Sequence, residues 1–278
     1  MTIDTHQHFW NYNSQEFAWL DGELSILQQD FLPENLFLEL DRAGMDASIA
    51  VESRQCVEET DWLISLAKNN PKIAAIVAWL PIAAPDFSEY LDKYKEIDCV
   101  KGIRHVVQDE PAGFLDGKEF NAGIKLIGKT DLLYEVLIFE HQLEEAIRFV
   151  RRHPNVPFVL DHVAKPRIGE DSMEPWASNM KEIARCDNLL ACKISGMVTE
   201  MNEAALALPR EEVLLPYMEI VLEAFGPKRV CFGSDWPVLT PRMSYLDWKN
   251  LVEKFAGSSA KDIMGANAQR VYKIKEKR

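Results

Sequence analysis

Short runs of apolar, often β-branched residues alternate along this chain with longer stretches in which apolar positions recur three and four apart. The first pattern fits strands buried on both faces, the second helices with one face on a core. Eight strands are predicted, over 2–6, 48–51, 73–80, 100–104, 133–139, 157–161, 189–195 and 230–233. Helices are predicted over 33–43, 59–69, 87–96, 121–130, 142–153, 175–186, 210–225 and 245–256, with a final one over 259–272. Asn70-Pro71 and His153-Pro154 stop helices because proline cannot continue them. Ala43-Gly44 stops another with a residue free to turn left-handed.

Strands separated by helices pair in parallel through crossovers. Eight such units in 278 residues predict an α/β fold, a single (β/α)8 TIM barrel over 1–278 with an extra helix at its C-terminal end. An open doubly wound sheet is the alternative, but no GxGxxG follows an early strand. Residues 10–32 form a long loop after the first strand, carrying Trp10, Tyr12, Phe17 and Trp19. On a barrel's catalytic face it forms either a pocket wall or a self-packed flap.

Composition narrows the partners. The formal charge of −13, from 44 acids against 31 bases, disfavours nucleic acid and anionic membrane surfaces. No apolar run nears the ~20 residues of a membrane span. The chain opens with no basic-then-apolar leader, and its five cysteines form no CxxC pair. A cytoplasmic monomer or homodimer with a small-molecule substrate is expected.

Barrel enzymes place their chemistry at the C-terminal ends of the strands. His6 and His8 end the first strand, two apart and thus on one face, a spacing suited to sharing one metal ion. Asp235 ends the eighth, in Gly233-Ser234-Asp235-Trp236-Pro237, as a metal ligand or a base toward water. Between them lie Glu52, Arg104-His105, Glu140-His141, His162 and Lys165 after Asp161, and Lys193 and Ser195. Arg104, with a planar donor fork, suits a carboxylate or carbonyl oxygen. Lys193, inside an apolar strand, needs a partner or a substrate. His153, at a helix end before proline, reads as a surface residue. A nucleophile elbow, a phosphate-binding loop and an HExxH helix are all missing.

Taken together, the segments Asp4–Trp10, Val100–Gln108 with its GIRH, Leu160–Pro166 with its DHxAKP, Cys192–Gly196 with its KxSG and Gly233–Val238 with its GSDWP resemble the amidohydrolase superfamily. The likeness is to its branch of sugar lactonases and 2-pyrone-4,6-dicarboxylate lactonase. It implies hydrolysis of a small cyclic ester, most simply an aldonolactone of the L-fucono or L-rhamnono type. Catalysis would use Asp235 and His162, and substrate would meet Arg104, His105, Lys193, Trp236, His141 and Glu52. A zinc or other divalent ion, one at most, would sit on His6, His8 and Asp235. The fourth strand lacks a lysine able to bridge two metals, so metal-independent hydrolysis is the other expectation. A pyrone-dicarboxylate lactonase and a decarboxylase on the same barrel are the alternative activities.

Overall fold

The computed structural model describes residues 1–275; residues 276–278, the end of the expected barrel domain, lie outside them. Eight parallel strands run in sequence order: β1 Ile3–Gln7, β2 Ala47–Val51, β3 Ile73–Ala78, β4 Val100–Val106, β5 Leu133–Leu137, β6 Phe158–Leu160, β7 Leu189–Ile194 and β8 Val230–Phe232. The first and last strands meet just beyond their ends. His8 N donates to Trp236 O at 2.8 Å and Asp235 N to His6 O at 2.7 Å, which closes the barrel at the point where the reactive residues stand.

Helices α1 Pro33–Ala43, α2 Val57–Asn69, α3 Phe87–Tyr94, α4 Lys118–Ile127, α5 Leu143–Arg152, α6 Trp176–Ile183, α7 Glu203–Leu206, α8 Arg210–Phe225 and α9 Tyr245–Ala256 follow the strands. Eight of these were predicted; the single-turn α7 was not, being too short to show a period. The expected final helix is broken into a 3₁₀ turn, a π-helical turn over Asp262–Ala266 and α10 Asn267–Val271. Within the π turn Gly265 packs against the chain's first residue, where a Cβ would stand 2.0 Å from Met1 O. Among the described residues no helix is long and apolar enough to cross a membrane. The five cysteines are free thiols.

Two layers fill the barrel. The lower is apolar: Ile3, Ile49, Val77, Leu133, Val159, Ala191 and Cys231 meet in the middle, with Val271, Tyr272 and Ile274 closing the floor. Above it the inward positions turn charged, and that layer carries the site. His153 corrects the sequence reading. It is buried, and its Nε2 lies 2.7 Å from Asn121 Oδ1, because α4 packs over the end of α5.

Candidate active site

Strand β1 carries a register irregularity between Asp4 and Gln7 against β2, and His8 lies one residue past its end. Both imidazoles nevertheless reach one carboxylate. Asp235 Oδ1 lies 3.9 Å from His6 Nε2, 3.5 Å from His8 Nε2 and 3.9 Å from His162 Nε2. All four side chains are buried, and His8, His162 and Asp235 line a cavity of about 540 Å³ at the C-terminal end of the barrel.

Each group is held by a specific neighbour. His8 Nδ1 lies 2.9 Å from Val51 O, a carbonyl that can only accept, so this nitrogen carries a proton and Nε2 faces Asp235. Burial, with the charges of His162 and Lys193 added, holds the His6 pKa well below its usual value, against Asp161. Neutral His6 then accepts at Nε2 from Arg104 Nη1, 3.1 Å away, and presents Nδ1 toward Asp161 Oδ1 at 3.5 Å. Burial lowers the His162 pKa to about 4, and its Nδ1 sits 2.9 Å from Ser195 Oγ. Burial alone would raise Asp235; His162, the hydrogen bond from His8 and the charge of Lys165 overcome it and hold the carboxyl below its usual range.

The backbone at these residues is strained. His162, Val163, Ala164 and Lys165 have φ of 51°, 48°, 60° and 47°, four successive residues in the left-handed region, and Asp235 has φ of 61°. Such non-glycine conformations cost roughly 1–2 kcal/mol each and persist where surrounding structure dictates them. The turn is held by Ala164 N to Asp161 O at 2.9 Å, Lys165 N to His162 O at 2.8 Å and Trp176 Nε1 to Val163 O at 2.8 Å.

Of the predicted substrate-binding residues, Arg104 lines the cavity, and it is heavily engaged. Nε donates to Glu52 Oε1 at 2.8 Å, Nη2 to Glu52 O at 2.6 Å, and Nη1 lies 3.2 Å from Asp161 Oδ2. The other five stand elsewhere. Glu52 is buried behind Arg104 and positions it. His105 is the next residue of a strand that runs on to Val106, so alternation turns it to the outer face, where it stacks on Phe114 at 5.0 Å and pairs with Glu110 at 2.8 Å. Lys193 is fully buried below the cavity, 2.5 Å from Glu135 and 3.1 Å from Asp161. Trp236 packs behind the seam against Phe31 and Phe9. His141 is exposed and stacks on Phe139, because it opens the turn into α5 rather than ending β5.

Several cavity residues escaped the sequence reading. Glu16, Gln55, Cys56, Gln108 and Val238 line it beside Arg54 and Lys165. Loop 10–32 divides the two roles expected of it. Trp10, Phe17, Leu20 and Leu27 form their own buried cluster, while Trp19 stands 43% exposed at the cavity rim. Glu135, inward on β5, is the other omission; a lone carboxylate in the strand Leu-Tyr-Glu-Val-Leu was its signal.

The donors of His6, His8 and Asp235 lie within 4.8 Å of one another, as do those of His6, Asp161 and His162. Two imidazole nitrogens and a carboxylate oxygen suit zinc, and the bond from His8 Nδ1 to Val51 O already turns its Nε2 inward.

The closed barrel gathers imidazoles from the ends of its first and sixth strands and an aspartate from the end of its eighth at one mouth. A family model described as Amidohydrolase matches residues 3–274, and the chain belongs to that family. It is 34% identical over 289 residues to the L-fucono-1,5-lactonase of Burkholderia multivorans, covering 99% of this chain and 97% of that one. It is 31% identical over 283 residues to the L-fucono-1,5-lactonase of Burkholderia ambifaria, covering 98% and 95%. A crystal structure of an amidohydrolase from Burkholderia multivorans with bound zinc superposes with a TM-score of 0.92 at 33% identity, covering 99% of this chain and 100% of that one.

Proposed function

We propose that the chain is a lactonase that opens a sugar aldonolactone of the L-fucono type. The observation that carries this is the convergence of Asp235 with His6, His8 and His162 under a cavity of about 540 Å³, in a chain alike over nearly its whole length to two L-fucono-1,5-lactonases.

Asp235, ionised at neutral pH, takes a proton from a water held over the acyl carbon. His8 Nε2 fixes the carboxylate's position from 3.5 Å. Neutral His162, held by Ser195, is free to hydrogen-bond the water or the carbonyl. Arg104 supplies positive charge to the oxyanion that forms on attack, its guanidinium anchored by Glu52 and Asp161. Asp235 then returns its proton to the ring oxygen as the acyl–oxygen bond breaks. His6, His8 and Asp235 would hold the zinc ion; when bound, it supplies Lewis-acid polarisation of the carbonyl.

Asp235→Asn tests this. Asparagine tolerates the left-handed backbone at this position, so the variant should fold and lose roughly 10²–10⁴-fold in turnover. Acid release from a panel of aldonolactones and pyrone dicarboxylate is the readout. Near-wild-type lactone opening by Asp235→Asn would remove the base, and wild-type activity confined to the dicarboxylate would remove the sugar.

A further inference from the structure

Three basic side chains other than histidine line the cavity among the described residues: Arg54, Arg104 and Lys165. Two are already engaged. Arg54 bonds Glu59 at 2.6 Å and Glu16 at 2.7 Å. Arg104 bonds Glu52, Asp161 and His6. Lys165 differs. Its ammonium forms only a loose ion pair with Glu200 Oε1, at 3.7 Å and beyond hydrogen-bond reach, and lies 5.3 Å from the centre of the Phe139 ring. Among the described residues none of its three N–H donors is in a hydrogen bond, though its side chain is only 17% exposed. A largely buried ammonium with open donors is a ready anion site.

The chemistry supplies an anion. Water adds to the acyl carbon, the acyl–oxygen bond breaks, and the ring oxygen leaves as a hydroxyl. The new carboxylic acid then ionises and releases one proton, so a neutral substrate becomes a monoanion. The backbone places Lys165 for it. Lys165 N donates to His162 O at 2.8 Å, so the lysine ends the same left-handed turn that begins at His162.

We propose that Lys165 is the carboxylate-binding residue of this cavity, taking the hydroxycarboxylate formed on ring opening. This rests on the lactonase reading. Its test uses L-fuconate and the uncharged alditol L-fucitol, titrated calorimetrically into the wild type, Lys165→Gln and Lys165→Arg. At φ of 47° glutamine is no more strained than lysine, and equal melting temperatures check the fold. Lys165→Gln should weaken L-fuconate binding about tenfold to a hundredfold, the range for one charge-assisted hydrogen bond. Lys165→Arg should restore part of it, and L-fucitol binding should stay within about twofold, having no charge to lose. L-fuconate binding that is unmeasurable in the wild type, or equal in wild type and Lys165→Gln, overturns the inference and leaves lactone opening standing. A wild type that opens no sugar lactone overturns the lactonase reading instead, and the product assignment with it.

Discussion

A Cβ placed on Gly196 would stand 2.5 Å from His162 Nδ1 and 2.7 Å from its Cγ, and the residue has φ of 61°. Both space and backbone demand glycine there. Gly196→Ala should therefore push the imidazole off Ser195 and away from Asp235. Turnover should fall by 10²-fold or more, the order seen when a reacting group is misplaced by about 1 Å. Proton NMR of the His162 ring should show its displacement; an alanine variant with normal turnover would break the link between the two residues. His6, His8, His162 and Asp235 were legible because each lies in a short motif at a predicted strand end. His105, Trp236 and His141 lie in the same motifs or beside them, yet they face elsewhere. One further residue of strand reverses a side chain, and prediction places strand ends only to within a few residues. Lys165 was visible as a strand-end cation; its lack of a hydrogen-bond partner was not, since partners come from distant segments.

One carboxylate braces the seam between β1 and β8 beside its backbone bonds. Asp4 accepts from Ser234 N at 2.8 Å, Ser234 Oγ at 2.6 Å, His6 N at 3.1 Å and Tyr245 OH at 3.1 Å, tying the first strand to the Asp235 turn and to α9. Burial outweighs these bonds and raises its pKa to about 6 from 3.8. The sign follows directly. The folded protein takes up this proton before the unfolded chain does, so Asp4 contributes stability as pH falls through about 6 toward 3.8, and loses it as pH rises. Asp4→Asn keeps an acceptor for the two backbone N–H groups but does not titrate. The stability of wild type relative to Asp4→Asn should thus grow by roughly 2 kcal/mol between about pH 7 and pH 4.5. Urea unfolding at both values measures it, and a pH-independent difference would show that Asp4 is not perturbed. At this scale the alternation of strands and helices was readable from periodicity alone. The left-handed run at 162–165 was not, because Val163 and Ala164 carry no glycine-like signal for such a turn.

Across the whole barrel, the catalytic mouth stands on a charged layer that stands in turn on the apolar floor. Glu135 from β5 meets Lys193 from β7 at 2.5 Å, although these strands are not neighbours, and Lys193 also reaches Asp161 at 3.1 Å and His6 Nδ1 at 3.2 Å. Tyr272, from the C-terminal segment, donates to Glu135 Oε1 at 2.5 Å. Strand order follows from the sequence, whereas pairing across the barrel's interior depends on stagger that no local pattern encodes. The layer makes Lys193 a support rather than a substrate ligand: it pairs with Glu135 and Asp161, and Asp161 in turn holds His6 and Arg104. Lys193→Met should leave Glu135 and Asp161 facing each other in a dry interior, a loss of about 3–5 kcal/mol. Adding Glu135→Gln removes one of those charges while its amide oxygen still accepts from Tyr272. The double variant should therefore be more stable than Lys193→Met alone, a non-additivity that a urea-unfolding cycle reads out. Strictly additive losses would mean that the pair is not coupled. A Lys193→Met protein as stable as the wild type would mean that the ammonium is not what holds the layer together.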